Sequence, residues 1–484
     1  MRRIFLLAVL SLSPFSAKAG DFNLDGLNAA AVRAVPETSV AIPRVSGPKA
    51  WTVMLYSTTK DKLRYTLVWQ LLEMKKTGST GLVNVAVEAS FPVKYADGTI
   101  STPTFRMALG NAVNADELDK LIEAMFRAGE RPIDFSLLAP FGPDIVKTEN
   151  GVDTGDWRRA AEFTKWAKTN YPARRYAFVI YGHGNGIFDP QKNGRGTLID
   201  AETKNYVSIP ELGLLMKETG HVDAFVMLSC IMQMAEVAYE IKDYADVVVG
   251  SSELMWSVGY DLNSMLASLN SNPDIPGEKL GGELSDGYIQ RVKEFKLSGA
   301  HSSVIITSRF PAFVGKLNAW VEAELALNDH TAAVNAVKNA ARFDIFGVTL
   351  SSSPALARRL SISGDLYDFV SLVTANTPRD TSAQLLARQR GAELMDFIAG
   401  GLVYKYVYTG KTNTGFDFSR AHGLSIYVPP VSMPFGSLVE FENHLQTLYR
   451  DLPFARETRW PEFVNWLYPA LFPKEVKNGV SGGI

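Results

Sequence analysis

Two side chains form a pair that could cleave an acyl bond. Cys230 is the single cysteine of the 484-residue chain, and His183 is one of six histidines. With no second thiol there is no intrachain disulfide, so Cys230 is either an inert packing group or a nucleophile. A thiolate attacks carbonyl carbon, and an imidazole titrating near neutrality can take the thiol proton and return it to a leaving amine. His183 lies within Gly182-His-Gly184-Asn-Gly186, directly after the apolar run Tyr176 to Tyr181. Glycines on both sides let a substrate backbone come close. They also leave the Gly184 amide to face a developing oxyanion, with the Cys230 amide as second donor. Cys230 follows the apolar run Ala224 to Leu228 and precedes a helix expected over Ile231 to Tyr244, whose dipole would favour the thiolate.

Such a pair needs a scaffold that brings two distant loops to one place. Short apolar runs at Trp51–Ser57, Leu82–Ala89, Tyr176–Tyr181, Ala224–Leu228 and Ala245–Gly250 read as strands. Helical patterns fall between them at Lys62–Lys76, Asp116–Ala128, Thr154–Asn170 and Ile209–Thr219, and Asp97-Gly98 marks a hairpin turn. Continuously apolar strands alternating with helices predict an α/β domain whose mainly parallel sheet is covered on both faces. Ligands of such sheets bind beyond the carboxyl ends of the strands, where His183 and Cys230 both fall. Beyond Ser298 the pattern becomes largely helical, at Ala312–Leu327, Ala332–Ala341 and Ala383–Tyr404, with strands at Ser303–Ser308 and Leu424–Val428.

Other chemistries fit less well. No helix opens after the glycines of 182–186, as a dinucleotide-binding loop requires, and the chain has neither a Gly-x-Ser-x-Gly elbow nor a His-Glu-x-x-His run. Asp189, Gln191, Asn193, Gly194 and Asp200 fall at calcium-loop positions, but Gln191 and Asp200 replace the usual residues and no helix leads in. A solvated loop is the simpler reading, so no cofactor is expected, and Asp189, Asn193 and Asp200 are kept as a weak calcium candidate. The 49 basic and 51 acidic side chains nearly cancel, which argues against a nucleic-acid partner. No apolar run reaches the roughly 18 residues of a membrane-spanning helix. At the N-terminus Arg2 and Arg3 precede the apolar stretch Ile4–Leu12, and Ala17-Lys18-Ala19 reads as a cleavage site. This is the layout of a secretory signal, so a periplasmic or secreted protein is expected.

Several ordered segments resemble the clostripain family of cysteine peptidases. They are Trp51–Tyr56, Asp153–Tyr176, the histidine motif Tyr181–Gly186, Val207–Leu212, the nucleophile segment Cys230–Asp246 and His422–Pro429. The resemblance implies a caspase-like three-layer α/β/α fold and an endopeptidase with Cys230 as nucleophile and His183 as general acid/base. It also implies a peptide or protein substrate, a preference for Arg or Lys at the cleaved position, and maturation by cleavage between histidine and cysteine, an interval holding Lys192, Arg195 and Lys204. Two positions depart from the family pattern. Leu228 and Gly182 stand where acidic residues are usual, and a buried basic side chain needs a paired carboxylate. Glu253 and Asp261, after the next strand, are the expected substitutes around Leu228. The expected organisation is a signal at 1–19, a linker or pro-segment at 20–50, a catalytic domain at 51–300, a mainly helical region at 301–470 that returns a strand, and a tail at 471–484. The alternative is an inactive relative that binds peptides or a cell-envelope partner.

Overall fold

The computed structural model describes residues 47–111, 115–128, 132–187, 196–343, 354–412, 414–432 and 449–473. The expected signal, most of the linker, the Lys192 and Arg195 positions, the calcium-loop residues Asp189 and Asn193, and most of the C-terminal tail lie outside them.

The central sheet has nine strands: β1 (Lys49–Ser57), β2 (Val83–Ser90), β5 (Thr104–Ala108), β7 (Ile145–Glu149), β8 (Ala173–Tyr181), β9 (Val222–Leu228), β10 (Ala245–Gly250), β11 (Ala300–Ile306) and β13 (Val403–Thr409). Their order is β13-β11-β10-β9-β8-β1-β2-β5-β7. The five middle strands are parallel, and the outer pairs are antiparallel. A small sheet holds β3 (Val93–Lys94), β4 (Ile100–Ser101) and β6 (Ile133–Asp134), in which β3 and β4 form the hairpin expected at Asp97-Gly98. A two-stranded sheet pairs β12 (Ser363–Asp365) with β14 (Ser425–Tyr427).

The helices used below are α1 (Arg64–Met74), α2 (Ala115–Ala128), α3 (Trp157–Asn170), α4 (Ile209–Thr219), α5 (Ala235–Glu240), α6 (Leu262–Ser271), α7 (Gly277–Glu294), α8 (Phe310–Leu327), α9 (Thr331–Asn339), α10 (Leu366–Asn376), α11 (Ser382–Phe397) and α12 (Trp460–Leu471). The alternation of β1 explains the layering. Trp51, Val53 and Leu55 join a cluster with Leu67 of α1, Leu118 of α2, Leu266 of α6 and Leu280 of α7. Met54 and Tyr56 face the other way, into a cluster with Phe163 of α3, Leu212 of α4 and Val237 of α5. Because both faces are covered, the strands carry no polar alternation. The second cluster continues through Trp320 of α8, Phe369 of α10 and Trp460 and Phe463 of α12, so the helical region packs on that face of the sheet.

Two expected helices change. The helix expected from Ile231 is only α5, starting at Ala235, because Gln233 is drawn into backbone pairing instead: its N–H donates to Ser251 O, and its carbonyl accepts from Ser425 N–H. The helix expected through Tyr404 is α-helical to Phe397 and continues as a π-helical turn over Ile398–Leu402, after which the chain enters the sheet as edge strand β13, whose Tyr404, Tyr406 and Tyr408 alternate with Lys405 and Val407.

Candidate active site

The strand register aligns the carboxyl ends of the parallel strands. Ser57 of β1 lies beside Tyr181 of β8, which lies beside Leu228 of β9, and Val249 of β10 pairs with Val226. Four loops therefore leave the sheet along one rim, and each brings a distinct group.

The loop after β8 carries His183. Gly182 extends the ladder by donating its N–H to Leu228 O at 3.3 Å. A Cβ at Gly182 would stand 2.9 Å from Thr58 Oγ1, so only glycine lets this loop lie against the one after β1. From that neighbouring loop Asp61 reaches His183, with Oδ2 2.5 Å from Nε2. Burial pushes the Asp61 carboxyl up, but the bond and charge of His183 together with the Leu63 N–H outweigh it and hold the group below the usual carboxylate range. An ionised Asp61 accepts Nε2–H and thereby fixes the tautomer in which Nδ1 bears the lone pair. The ring remains within reach of solvent, its side chain 24% exposed.

The loop after β9 carries Cys230, which is partly buried. Ile231 adopts a left-handed conformation, φ 60°, an uncommon state for a β-branched residue and the mark of a sharp turn. Its N–H donates to Glu253 O at 3.2 Å. The loop after β10 then supplies the Met255 N–H, which donates to Cys230 Sγ at 3.3 Å. Since α5 starts five residues after Cys230, the helix-dipole contribution expected from sequence gives way to this backbone donor.

The histidine and cysteine loops are in direct contact. A Cβ on Gly184 would stand 2.6 Å from Cys230 O, 2.8 Å from Met232 Cγ and 3.0 Å from Ser229 Cβ. Gly186, at φ 55°, is packed as closely against Met234 and Ile231. The Thr197 hydroxyl spans both loops, 3.2 Å from His183 O and 3.4 Å from Ser229 Oγ. Gly184 bridges Thr197 through the Asn185 N–H to Gly196 O bond.

The expected pocket residues take varied positions. Leu228 is buried at the end of β9 and packs against the close turn at Gly259, φ 55°. Glu253 is buried beside the nucleophile turn, where its Oε1 accepts the Leu254 N–H at 2.9 Å. Asp261 instead caps α6, accepting the Ser264 N–H at 2.9 Å, a structural task that accounts for its place at a helix start. Asp200 is fully buried, and its carboxylate accepts from Lys60 Nζ, Thr154 N and Oγ1, Glu202 N and Thr203 N. Five donors leave this carboxylate poorly disposed toward a cation. Among the described residues no group of three or more His, Cys, Asp or Glu could hold a metal ion. Sequence reasoning missed Asp61 and Met255. Their one available signal is position, since each follows a strand that neighbours the β8–β9 pair on the parallel side of the sheet.

A mainly parallel, caspase-like sheet with a thiol and an imidazole on adjoining rim loops defines a class of cysteine peptidase. Residues 140–466 match the model of the clostripain family, peptidase C11, and the chain belongs to that family. Clostripain of Hathewaya histolytica is 25% identical over 158 residues, a stretch covering 29% of this chain and 30% of that protein. The fold is similar to a secreted C11 cysteine protease from Bacteroides thetaiotaomicron, solved with an irreversible peptide inhibitor: TM-score 0.54 and 16% identity, covering 88% of this chain and all of that one. It is likewise similar to an inactive zymogen C11 protease from Parabacteroides distasonis, TM-score 0.54 and 14% identity, covering 86% of this chain and 99% of that one. Among the described residues no helix is long and apolar enough to cross a membrane.

Proposed function

We propose that this chain is an exported cysteine endopeptidase in which Cys230 is the nucleophile, His183 the general acid/base and Asp61 the group that orients His183. The observation that carries the reading is the contact of the His183 and Cys230 loops at Gly184, with Asp61 on Nε2 of the imidazole. The His183 nitrogen facing away from Asp61 takes the thiol proton, and the Cys230 sulfur adds to the scissile carbonyl carbon. The Gly184 and Cys230 amides face the resulting oxyanion. Collapse of the adduct expels the amine with a proton from His183 and leaves a thioester. His183 then deprotonates water, which releases the acid and restores the thiol.

Leu228 and the α6-capping role of Asp261 leave Glu253 as the pocket carboxylate nearest the nucleophile turn. Self-processing between His183 and Cys230 is part of the reading, with Lys204 on the described turn of that interval and Lys192 and Arg195 before it. The substrate is a peptide or protein, and the location is periplasmic or secreted. A peptide-library cleavage profile of the purified chain beside Cys230→Ala, with and without chelator, tests the activity, its preference at the cleaved position and any calcium dependence. Turnover by the wild type alone supports the reading; equal, negligible turnover by both leaves a peptide-binding relative. The N-terminal sequence of protein recovered from the cell envelope or medium tests export, with Gly20 as the expected first residue.

A further inference from the structure

Asp61 is preceded by a lysine that is itself pinned in the interior. Lys60 is only 6% exposed, and its Nζ lies 2.7 Å from Asp200 Oδ2 and 3.2 Å from Glu202 Oε2, and donates to Val152 O at 2.8 Å. Asp200 sits on a hairpin over 196–207, closed by the Thr197 and Val207 backbone pair and by the Asp200 N–H to Asn205 O bond. The same hairpin touches the other two catalytic loops through the Thr197 hydroxyl. One short element thus reaches the loops of all three site residues. A buried ion pair is weak evidence for stability, since apolar residues of similar size often serve as well, so its placement beside Asp61 calls for another account.

We propose that the Lys60–Asp200 ion pair is a positioning device that holds Asp61 against His183, making the 196–207 hairpin part of what sets the imidazole. The inference rests on the peptidase reading above. Between Thr58, whose N–H donates to Tyr181 O, and Asp61 there are two residues, so the Lys60 side chain anchors the chain one residue before Asp61, whose carbonyl is held on the other side by the Arg64 N–H and Nη1. A displacement near 1 Å is enough to cost on the order of 100-fold in rate.

The test measures kcat, KM and the pH profile of Cys230 alkylation by iodoacetamide. A thiolate–imidazolium pair alkylates well below the ordinary thiol pKa, and His183→Ala should return the profile to that of a simple thiol. Asp200→Asn and Lys60→Met should each lower kcat by about 10- to 100-fold with KM changed less than about 3-fold, and move the alkylation profile toward that of His183→Ala. Lys60→Arg, which keeps the charge, should recover most of the rate, whether or not Asp200→Asn folds well. Combining Asp200→Asn with Asp61→Asn should cost little more than Asp61→Asn alone. Wild-type kcat and profile in Lys60→Met, or multiplicative losses in the double variant, overturn the proposal. An alkylation profile indifferent to His183→Ala overturns the peptidase reading itself.

Discussion

The two ends of the parallel strands are built from different kinds of contact. At the amino end, side chains donate to loop carbonyls, Trp51 Nε1 to Pro273 O at 2.9 Å, Arg175 Nη1 to Ile275 O at 2.7 Å, and Lys168 Nζ to Thr219 O at 2.9 Å and His221 O at 2.6 Å, while the charged pairs Arg174–Asp274 and His221–Asp246 lie exposed at the surface. At the carboxyl end, ionisable side chains meet one another, as His183 meets Asp61 and Lys60 meets Asp200, and a backbone N–H meets the thiol of Cys230. Carbonyl acceptors tie loops down and do not exchange protons. Paired titratable groups also hold geometry, but they create places where a proton can move between defined atoms. The two ends therefore differ in which partners each loop supplies and in how deeply their titratable pairs are buried, although both ends share the same strands and the same two cores.

The sharpest way to break that comparison is Cys230→Ala. With the thiol as the proposed nucleophile, activity should fall by roughly 10⁴-fold or more, to the uncatalysed background. The melting temperature should stay close to wild type, since Cys230 is only partly buried and the Met255 N–H bond to its sulfur is weak. Kinetics and calorimetry on the same preparation check both halves of that statement. Gly184→Ala comes next. Its Cβ would stand 2.6 Å from the Cys230 carbonyl oxygen, so the two loops must separate, and kcat/KM should fall by about 100-fold. A fully active Gly184→Ala would show that contact of the two loops is not what sets the site.

A gentler prediction concerns the link from the rim to the helical region. Glu236 in the first turn of α5 is fully buried, and its Oε1 accepts the Tyr427 N–H at 2.9 Å and the Tyr449 hydroxyl at 2.7 Å. Burial pushes its carboxyl up to about 7, against the pull of the Tyr449 and Tyr427 bonds. Below the ordinary value of 4.5 both folded and unfolded chains hold the proton. Between there and about 7 only the unfolded chain releases it, so this group's contribution to stability falls as pH rises through that window and is flat above it. Glu236→Gln should remove this slope. A wild-type-minus-variant melting difference that stays constant from acid to neutral pH would mean the carboxyl titrates normally.

The same contrast explains what was legible in the sequence. Helix α4 was readable to its ends because its signals are local: Ser208 and Glu211 form a capping box, and Gly220 at φ 72° ends the helix. The rim positions of His183 and Cys230 were readable because a lone thiol and a glycine-flanked histidine each followed an apolar strand. Asp61 was not, since its meaning lies in a partner 122 residues away. The start of α5 was misjudged for the same reason, because nothing near Ile231 shows that Gln233 will pair with Ser251 and Ser425. In β13 the period-two tyrosines were local, but they follow directly on the long helical pattern read as ending at Tyr404, and the strand was not read.

The smallest expected effect comes from the amino end, where the contrast is most exposed to error. Lys168 at the end of α3 holds the carbonyls of Thr219 and His221, and its ammonium lies over the Tyr176 ring at 4.6 Å. Burial already lowers its pKa to about 8, so the charged group is under strain from desolvation even with these acceptors in place. Lys168→Met keeps the apolar stem while removing the donor, and it leaves carbonyls at the end of α4 to water. The loss should be about 1 kcal/mol, as for an ordinary partly solvated hydrogen bond. In a chain of this size that lowers the melting temperature by about 1–2 °C. Because the contact closes a loop far from the rim, kcat/KM should change less than about 2-fold. If this substitution slowed turnover as much as Gly184→Ala, strain would be passing along the strands from one end to the other, and the amino end would have to be counted as part of the site.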